Sequence, residues 1–321
     1  MMTESKNIPT LFIVLPCFNE EDALPESIER LTAFYDELMA EGTISESSRL
    51  MFVNDGSRDK TWEIIKAAHL SNKYVCGVNL AANVGHQCAI LSGMESAKEY
   101  ADIVVTMDAD LQDDLTKIPE MISKYVDGAD IVYGVKNERK ADSWFKRTTA
   151  RMFYKLMKQL GVKSVYNHAD FRLMSSRALE QLSNYRERNL FLRGIIPMLG
   201  YKTDVVYEDL SPRKAGESKY SLSKMMNLAV DGITSFSIMP VRMVLAMGLV
   251  FLLIAFCILI YVVCMFFKGN TVPGWSSLML SIWFVGGVIL VGLGIVGEYI
   301  GRIYLEVKDR PRYNIESKLI R

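Results

Sequence analysis

The sequence predicts an α/β domain built on a mostly parallel sheet, followed by an amphipathic helix and a membrane-spanning hairpin. Two observations predict this organisation. From residue 11 to residue 135, short apolar runs alternate with runs of helical period, which is typical of a parallel sheet covered by helices on both faces. Residues 243–267 and 275–297 are two uncharged apolar runs, each long enough to span a hydrocarbon core of about 30 Å.

The alternating pattern predicts each element in turn. Strands are expected at residues 11–16, 50–54, 75–80, 103–107 and 131–135, with helices between them at 24–38, 60–70, 86–98 and 115–126. A basic amphipathic helix is expected at 144–160, followed by a less regular stretch and a strand at 203–208. Ligands of such sheets bind beyond the carboxyl ends of the strands, so a site is expected in the loops that follow the strands.

The last third of the chain predicts a membrane anchor. Residues 222–236 are amphipathic and are expected to lie along the membrane interface. Basic residues flank the two apolar runs, whereas the loop between them carries only Lys268, so the positive-inside rule predicts that both termini lie in the cytoplasm. The expected divisions are a cytoplasmic domain at 1–221, the interfacial helix at 222–236, the hairpin at 237–305 and a basic tail at 306–321.

Charge and cysteine content argue against several functions. The 321 residues carry 37 Lys and Arg against 37 Asp and Glu, and this balance gives no support to nucleic-acid binding. The five cysteines have no C-x-x-C spacing, so reduced side chains are expected rather than a disulfide framework. The three scattered histidines do not predict a zinc site, and we interpret His69 and His86 as surface or helix-capping residues.

An acidic motif follows the strand predicted at 103–107. Asp108 and Asp110 are separated by one residue, and Gln112 comes two positions later. Oxygen ligands at alternate positions of a strand-end loop suit Mg²⁺ or Mn²⁺ shared with substrate phosphates. A bare D-x-D is more often an ordinary helix-capping loop. Its position at the end of a sheet strand favours the metal interpretation here.

Two further loops predict a nucleotide site at the same edge of the sheet. The segment 54–57 is a tight turn, and Asp55 within it can accept hydrogen bonds from a base or a ribose. Pro16 ends the first strand, which presents Asn19 and Glu20 at the same edge.

Basic residues form two groups with alternative interpretations. Lys136, Arg147 and Arg151 can bind a phosphate or belong to a solvated helix face, and the loop from Arg213 to Lys219 can close over a diphosphate or attract a membrane surface. Asp170 is either a structural partner of Arg172 or a catalytic carboxylate, and spacing alone does not decide between them.

Together these segments resemble the family 2 glycosyltransferases with a GT-A fold. The closest resemblance is to polyprenyl-phosphate glycosyltransferases, the dolichyl-phosphate mannose synthase-like enzymes and especially the bacterial undecaprenyl-phosphate (bactoprenol) glucosyltransferases. The matching segments are LPCFNE (15–20), VNDGSRDKT (53–61), NVG (83–85), DADLQD (108–113), DFR (170–172) and RKAGESKY (213–220). The resemblance covers essentially the whole chain, including the two apolar runs.

The resemblance implies a role for each matching position. Those implied to bind the nucleotide are Pro16, Asn19, Glu20, Asp55 and Asp108. Those implied to bind Mg²⁺ or Mn²⁺ are Asp108, Asp110 and Gln112. Those implied to bind the acceptor phosphate or the donor diphosphate are Lys136, Arg147, Arg151, Arg213 and Lys219. Relatives often have arginine where Lys136 stands, and lysine lacks the bidentate fork of a guanidinium group.

The resemblance also implies a reaction. The implied reaction is an inverting transfer of a hexose from a UDP-sugar to undecaprenyl phosphate, and UDP-glucose is the first choice of donor. Asp110 and Asp170 would be its catalytic carboxylates. The implied setting is the inner membrane, as a homo-oligomer such as a tetramer, in cell-envelope glycan modification such as that of O-antigen. UDP-N-acetylglucosamine, UDP-galactose and GDP-mannose are alternative donors. A membrane-tethered scaffold that binds nucleotide sugars without turnover is the alternative from another class.

Overall fold

The computed structural model describes residues 8–136, 168–188, 190–208 and 274–320, together with scattered positions between 241 and 267. The chain divides into two compact units. The first, here called the α/β unit, comprises Met1–Lys158, Lys163–Tyr220 and Pro311–Arg321. The second, here called the apolar unit, comprises Gln159–Val162 and Ser221–Arg310.

The α/β unit contains an eight-stranded sheet whose order is β7-β5-β6-β4-β1-β2-β3-β8. Its strands are β1 (Leu11–Cys17), β2 (Arg49–Asn54), β3 (Val75–Leu80), β4 (Ile103–Thr106), β5 (Ile131–Lys136), β6 (His168–Ser175), β7 (Thr203–Glu208) and β8 (Ile315–Leu319). Its helices are α1 (Leu24–Ala40), α2 (Thr61–Ser71), α3 (His86–Ala97), α4 (Ile118–Val126), α5 (Ser176–Leu182) and α6 (Leu192–Ile195).

All of these strands run in one direction except β6 and β8, which pair antiparallel with their neighbours. The prediction of an α/β fold with a mostly parallel sheet is therefore confirmed. The predicted strands and helices up to residue 135 are present, as is the strand predicted at 203–208.

Helix α3 packs closely on the middle of the sheet. Gly93 permits this approach, since a Cβ atom at that position would lie 2.4 Å from Val14 Cγ1 and 2.7 Å from Val53 Cγ2. The residues of β1 and β2 are almost all buried, because helices cover both faces of the sheet. The first turn of α3 therefore lies at the carboxyl ends of the central strands.

Two strands were not predicted from the sequence. The sequence HADFRLMS of β6 places the charged residues Asp170 and Arg172 inside the sheet, where continuous apolar runs are usual. The basic tail expected at 306–321 instead contains β8, which pairs antiparallel with β3 at the edge of the sheet. Its alternating half-buried and exposed residues are typical of an edge strand with one covered face.

In the described part of the apolar unit lies the long helix α7 (Trp275–Val307). Within the described residues, only the segment Phe284–Val307 of this helix is long and apolar enough to cross a membrane. The described positions between 241 and 267 are helical, but they do not establish a second span, so the predicted two-helix hairpin is not confirmed. The amphipathic segment predicted at 222–236 lies outside the described residues.

Replacing Gly93 by Ala tests the packing of α3. The new methyl group must displace Val14 and Val53, which should destabilise the α/β unit by about 1–3 kcal/mol. The helix-propensity gain of about 1 kcal/mol for Gly→Ala offsets part of this cost, and the control variant shares that gain. Thermal unfolding of the purified protein measures the change. Gly287→Ala is the matched control, because a Cβ there meets nothing within 4 Å. Equal midpoints for the two variants would contradict the packing argument.

Candidate active site

The loops after β1, β2, β3 and β4 surround an open cavity of about 390 Å³ at the carboxyl edge of the sheet. Five residues predicted from the sequence line it, namely Pro16, Glu20, Asp55, Asp108 and Asp110. The other lining residues are Cys17, Phe18, Asn83, Gly85, His86, Ala89 and Ala109. The structure therefore brings together most of the residues predicted for the nucleotide and for the metal, whereas Asn19 and Gln112 are not among the lining residues.

Asp55 supports the neighbouring loop as well as facing the cavity. Its Oδ1 accepts a hydrogen bond from the N–H of Val84 at 2.8 Å, and its Oδ2 accepts one from the N–H of Gly85 at 3.0 Å. Burial raises the pKa of Asp55, and these two hydrogen bonds partly oppose the rise. A carboxylate has about four acceptor positions, so both oxygens keep capacity for a ligand.

Gly56 allows this contact between the two loops. Its φ of +63° is in the left-handed region, and a Cβ would lie 2.5 Å from the backbone nitrogen of Asn83. Any side chain at this position would push the two loops apart.

Asn19 and Glu20 differ in their placement. Asn19 has a φ of 54°, and its Oδ1 accepts a hydrogen bond from the N–H of Arg58 at 2.9 Å. Its own N–H donates to Ser57 Oγ at 3.0 Å. The structure therefore uses Asn19 to join the loops after β1 and β2, whereas Glu20 lines the cavity.

The acidic motif begins immediately after β4. Gln112 Nε2 donates to Asp110 Oδ2, and the Gln112 N–H donates to Asp110 Oδ1 at 3.2 Å. Burial raises the pKa of Asp108 to about 6; the charge of His86 opposes the rise, while nearby carboxylates reinforce it. This concentration of negative charge at a strand end is the environment in which a divalent cation binds favourably.

The donor set fits a metal that also takes ligands from a substrate. Within the described residues, no three His, Cys, Asp or Glu side chains converge to hold a metal ion by themselves. Mg²⁺ is usually held by one or two carboxylates together with water and substrate phosphates. Asp108, Asp110 and Gln112 would supply oxygen ligands of that kind.

Asp170 is buried at the centre of a charge network whose other members are the buried Arg172 and the more exposed Arg193 and His86. Arg172 Nη2 donates to its Oδ1 at 2.5 Å, Arg193 Nη2 donates to its Oδ2 at 3.0 Å, and His86 Nε2 lies 3.3 Å from Oδ2. Burial opposes ionisation of Asp170, but the hydrogen bond from His86 and the charges of Arg172 and Arg193 outweigh it. The pKa of Asp170 is therefore held well below its usual range. Such a carboxylate is a poor proton acceptor, so the geometry favours an orienting role over that of a general base.

His86 connects this network to the acidic motif. Its Nε2 lies 3.6 Å from Asp108 Oδ1, as well as 3.3 Å from Asp170 Oδ2. Burial lowers its pKa, but the hydrogen bond to Asp170 and the charges of both carboxylates outweigh burial and raise it. His86 is exposed at the start of α3, as the sequence interpretation expects, but that interpretation misses these contacts because Asp170 belongs to the unpredicted strand β6. The sequence signal that could have indicated a role for His86 in the site is its position directly after the loop at 83–85.

One of the five predicted phosphate-binding cations, Lys136, lies within the described residues. Lys136 ends β5, and its Nζ lies 3.2 Å from Asp113 Oδ1, so it pairs with the acidic loop. Glu208 at the end of β7 accepts a hydrogen bond from the N–H of Asp114 at 3.2 Å, which fastens the same loop. The remaining predicted cations lie outside the described residues; they are Arg147, Arg151, Arg213 and Lys219.

The family profile described as Glycosyl transferase family 2 matches residues 12–183, which include the residues that line the cavity and Asp170. The chain belongs to glycosyl transferase family 2. It is therefore a glycosyltransferase, as the resemblance implies.

Two relatives and one solved structure illustrate the similarity. The chain is 50% identical to the uncharacterized glycosyltransferase YkoT of Bacillus subtilis, over 97% of this chain and 92% of that protein. It is 41% identical to the SfII prophage-derived bactoprenol glucosyl transferase of Shigella flexneri, over 95% of this chain and 97% of that protein. It is 15% identical, with a TM-score of 0.45, to S. aureus TarS 1–349 in complex with UDP-GlcNAc, over 70% of this chain and 66% of that one.

Replacing Arg172 by Met tests the charge network. The fully buried guanidinium would be lost, and among the described residues the buried Asp170 carboxylate would keep Arg193 and His86 as partners. Removing one partner of a buried pair costs several kcal/mol, so we expect a loss of about 3 kcal/mol in unfolding free energy. Urea unfolding measures it. Arg30→Met is the control, because its exposed pair with Glu26 contributes at most about 0.5 kcal/mol. A loss of that small size for Arg172→Met would show that the network adds little stability.

Proposed function

We propose that this glycosyltransferase moves a hexose from a UDP-sugar, with UDP-glucose as the first choice, to undecaprenyl phosphate with inversion at the anomeric carbon. The observation that carries the proposal is the 41% identity to a bactoprenol glucosyl transferase over almost the full length of both chains. The cavity supports it, since acidic and polar residues from the loops after β1, β2 and β4 face one space.

In this proposal the cavity binds the donor. Pro16, Glu20 and Asp55 contact the uridine, and Asn19 keeps their two loops together. Asp108, Asp110 and Gln112 hold Mg²⁺ or Mn²⁺, which supplies a Lewis acid for the charge that develops on departing UDP. Arg213 and Lys219 close over the donor diphosphate.

The acceptor needs little activation by the protein. A phosphate monoester has a second pKa of about 6, so it is largely ionised at neutral pH. It can therefore attack the anomeric carbon from the face opposite UDP. Asp170 stays ionised because its pKa is low, so it orients Arg172, Arg193 and His86 instead of accepting a proton. Lys136, Arg147 and Arg151 are proposed to bind the acceptor phosphate. Lys136 would do so with Asp113 as its partner on the protein.

A lipid acceptor would give the apolar unit a role, which is to hold the enzyme at the membrane. Helix α7 is proposed to anchor the enzyme in the inner membrane as one half of a two-helix hairpin, with the α/β unit and both termini in the cytoplasm. The segment 222–236 would lie along the membrane surface. A homo-oligomer such as a tetramer is part of the same proposal, and Gly297 and Gly301 have the small-xxx-small spacing that permits close helix contacts.

A panel of labelled donors tests the proposal. Purified protein in detergent is given undecaprenyl phosphate, Mg²⁺ and either UDP-glucose, UDP-N-acetylglucosamine, UDP-galactose or GDP-mannose. We expect label to enter the organic phase from UDP-glucose. No transfer from any donor, with binding of UDP-sugar intact, would overturn the lipid acceptor and favour the non-catalytic scaffold.

Removing the metal ligand tests the chemistry of the same site. Asp110→Ala should lower the transfer rate at least about 100-fold, because the charge on departing UDP would lose its stabilisation. EDTA should abolish transfer by the unmodified enzyme, and added Mg²⁺ or Mn²⁺ should restore it. Asp22→Ala, which removes an exposed carboxylate outside the cavity, is the control and should transfer at the normal rate. Full activity of Asp110→Ala would exclude it as a metal ligand.

A further inference from the structure

Three polar side chains connect the C-terminal strand β8 with the interior of the sheet. Asn79 Nδ2 on β3 donates a hydrogen bond to Glu316 Oε2 on β8 at 2.6 Å. Asn54 Nδ2 on β2 donates to Asn79 Oδ1, also at 2.6 Å. Asn54 and Asn79 are direct partners in the parallel pairing of β2 with β3, and both are buried. Glu316, Asn79 and Asn54 therefore form a continuous polar row across three strands.

The polar row ends at the loops of the cavity. Asn54 Oδ1 accepts a hydrogen bond from the N–H of Ser57 at 3.3 Å, within the turn that carries Asp55. Ser57 Oγ in turn accepts a hydrogen bond from the N–H of Asn19 at 3.0 Å. The row thus reaches the loop after β2 directly and the loop after β1 through one further contact.

The direction of the hydrogen bonds is set at the Glu316 end. A carboxylate only accepts hydrogen bonds, whereas an Asn side chain has one donating and one accepting end. Glu316 therefore holds the Asn79 amide with its NH₂ toward β8 and its oxygen toward β2. Asn54 must then turn its NH₂ toward Asn79, which leaves its oxygen facing the N–H of Ser57.

We propose that Glu316 is a positioning residue for the nucleotide side of the cavity. It acts through Asn79 and Asn54 on the turn at 54–57, and so on the placement of Asp55. The inference rests on the proposed function only where it assigns this side of the cavity to a uridine diphosphate. In this proposal β8 contributes to donor binding, although it follows the apolar helix α7 in the chain.

Substitutions at Glu316 that differ in hydrogen-bond polarity test the proposal. Calorimetry of the full-length protein measures the affinity for UDP with Mg²⁺. Glu316→Gln should bind UDP like the unmodified protein, since its side-chain carbonyl still accepts from Asn79. Glu316→Leu should bind about tenfold more weakly, the equivalent of one lost hydrogen bond. Glu316→Lys should be at least as weak, because an ammonium group only donates.

Lys318→Leu is the matched control, since Lys318 is also exposed and lies two residues along the same strand. It should leave the UDP affinity unchanged. An equal loss of affinity in Lys318→Leu, or in Glu316→Gln, would overturn the proposal, because either result would indicate a general weakening of β8.

Amide hydrogen exchange of the ligand-free protein separates this inference from the proposed function. The amide of Ser57 should exchange faster in Glu316→Leu and Glu316→Lys than in Glu316→Gln or Lys318→Leu. Unchanged exchange at Ser57 in all four variants would overturn the positioning role, whatever the enzyme transfers. Faster exchange in a protein that transfers no hexose would uphold the polar row and overturn only the proposed reaction.

Discussion

The parallel pairing of β1 with β2 and β4, and of β2 with β3, is the constraint on which the site depends. Neighbouring parallel strands end at one edge of the sheet, so the residues that follow them meet although they are distant in sequence. Asp55 and Gly85 are 30 residues apart, yet the carboxylate of one accepts the N–H of the other. The close packing of α3 on the sheet follows from the same arrangement, because that helix must begin where these loops converge.

A second constraint comes from charge inside the sheet. The antiparallel strand β6 pairs with β4 and places Asp170 and Arg172 where a parallel sheet normally has apolar residues. A buried carboxylate is retained at low cost only when hydrogen bonds satisfy its oxygens. Here Arg193 from α6 and His86 from α3 add to the hydrogen bond from Arg172, so β6, α6 and α3 are fixed relative to one another around one carboxylate. Such rigidity would suit the proposed reaction, in which the donor must be held in line with the acceptor.

Much of this arrangement is predictable from local sequence. The apolar strands, the helices between them and the acidic loop at 108–113 each follow from patterns of neighbouring residues. The strands β6 and β8 do not, because β6 contains buried charges and β8 contains exposed ones, and neither resembles an apolar strand. The roles of His86 and Arg193 depend on β6 and were therefore missed with it. The prediction that Asn19 binds the nucleotide remains a prediction, and the contact of its side chain with the loop after β2 depends on residues far away in the sequence.

The position of β8 in the chain has a consequence for biosynthesis. During translation, residues 11–208 emerge before α7, and domains generally begin to fold as they emerge. Until the ribosome has also made residues 315–319, the outer edge of β3 presents unpaired backbone groups of the kind that promote aggregation. The sheet can be completed only after the long apolar helix has been synthesised. A nascent chain whose apolar segment is still unmade therefore has an unfinished sheet, and folding of the enzyme is tied to production of its apolar unit.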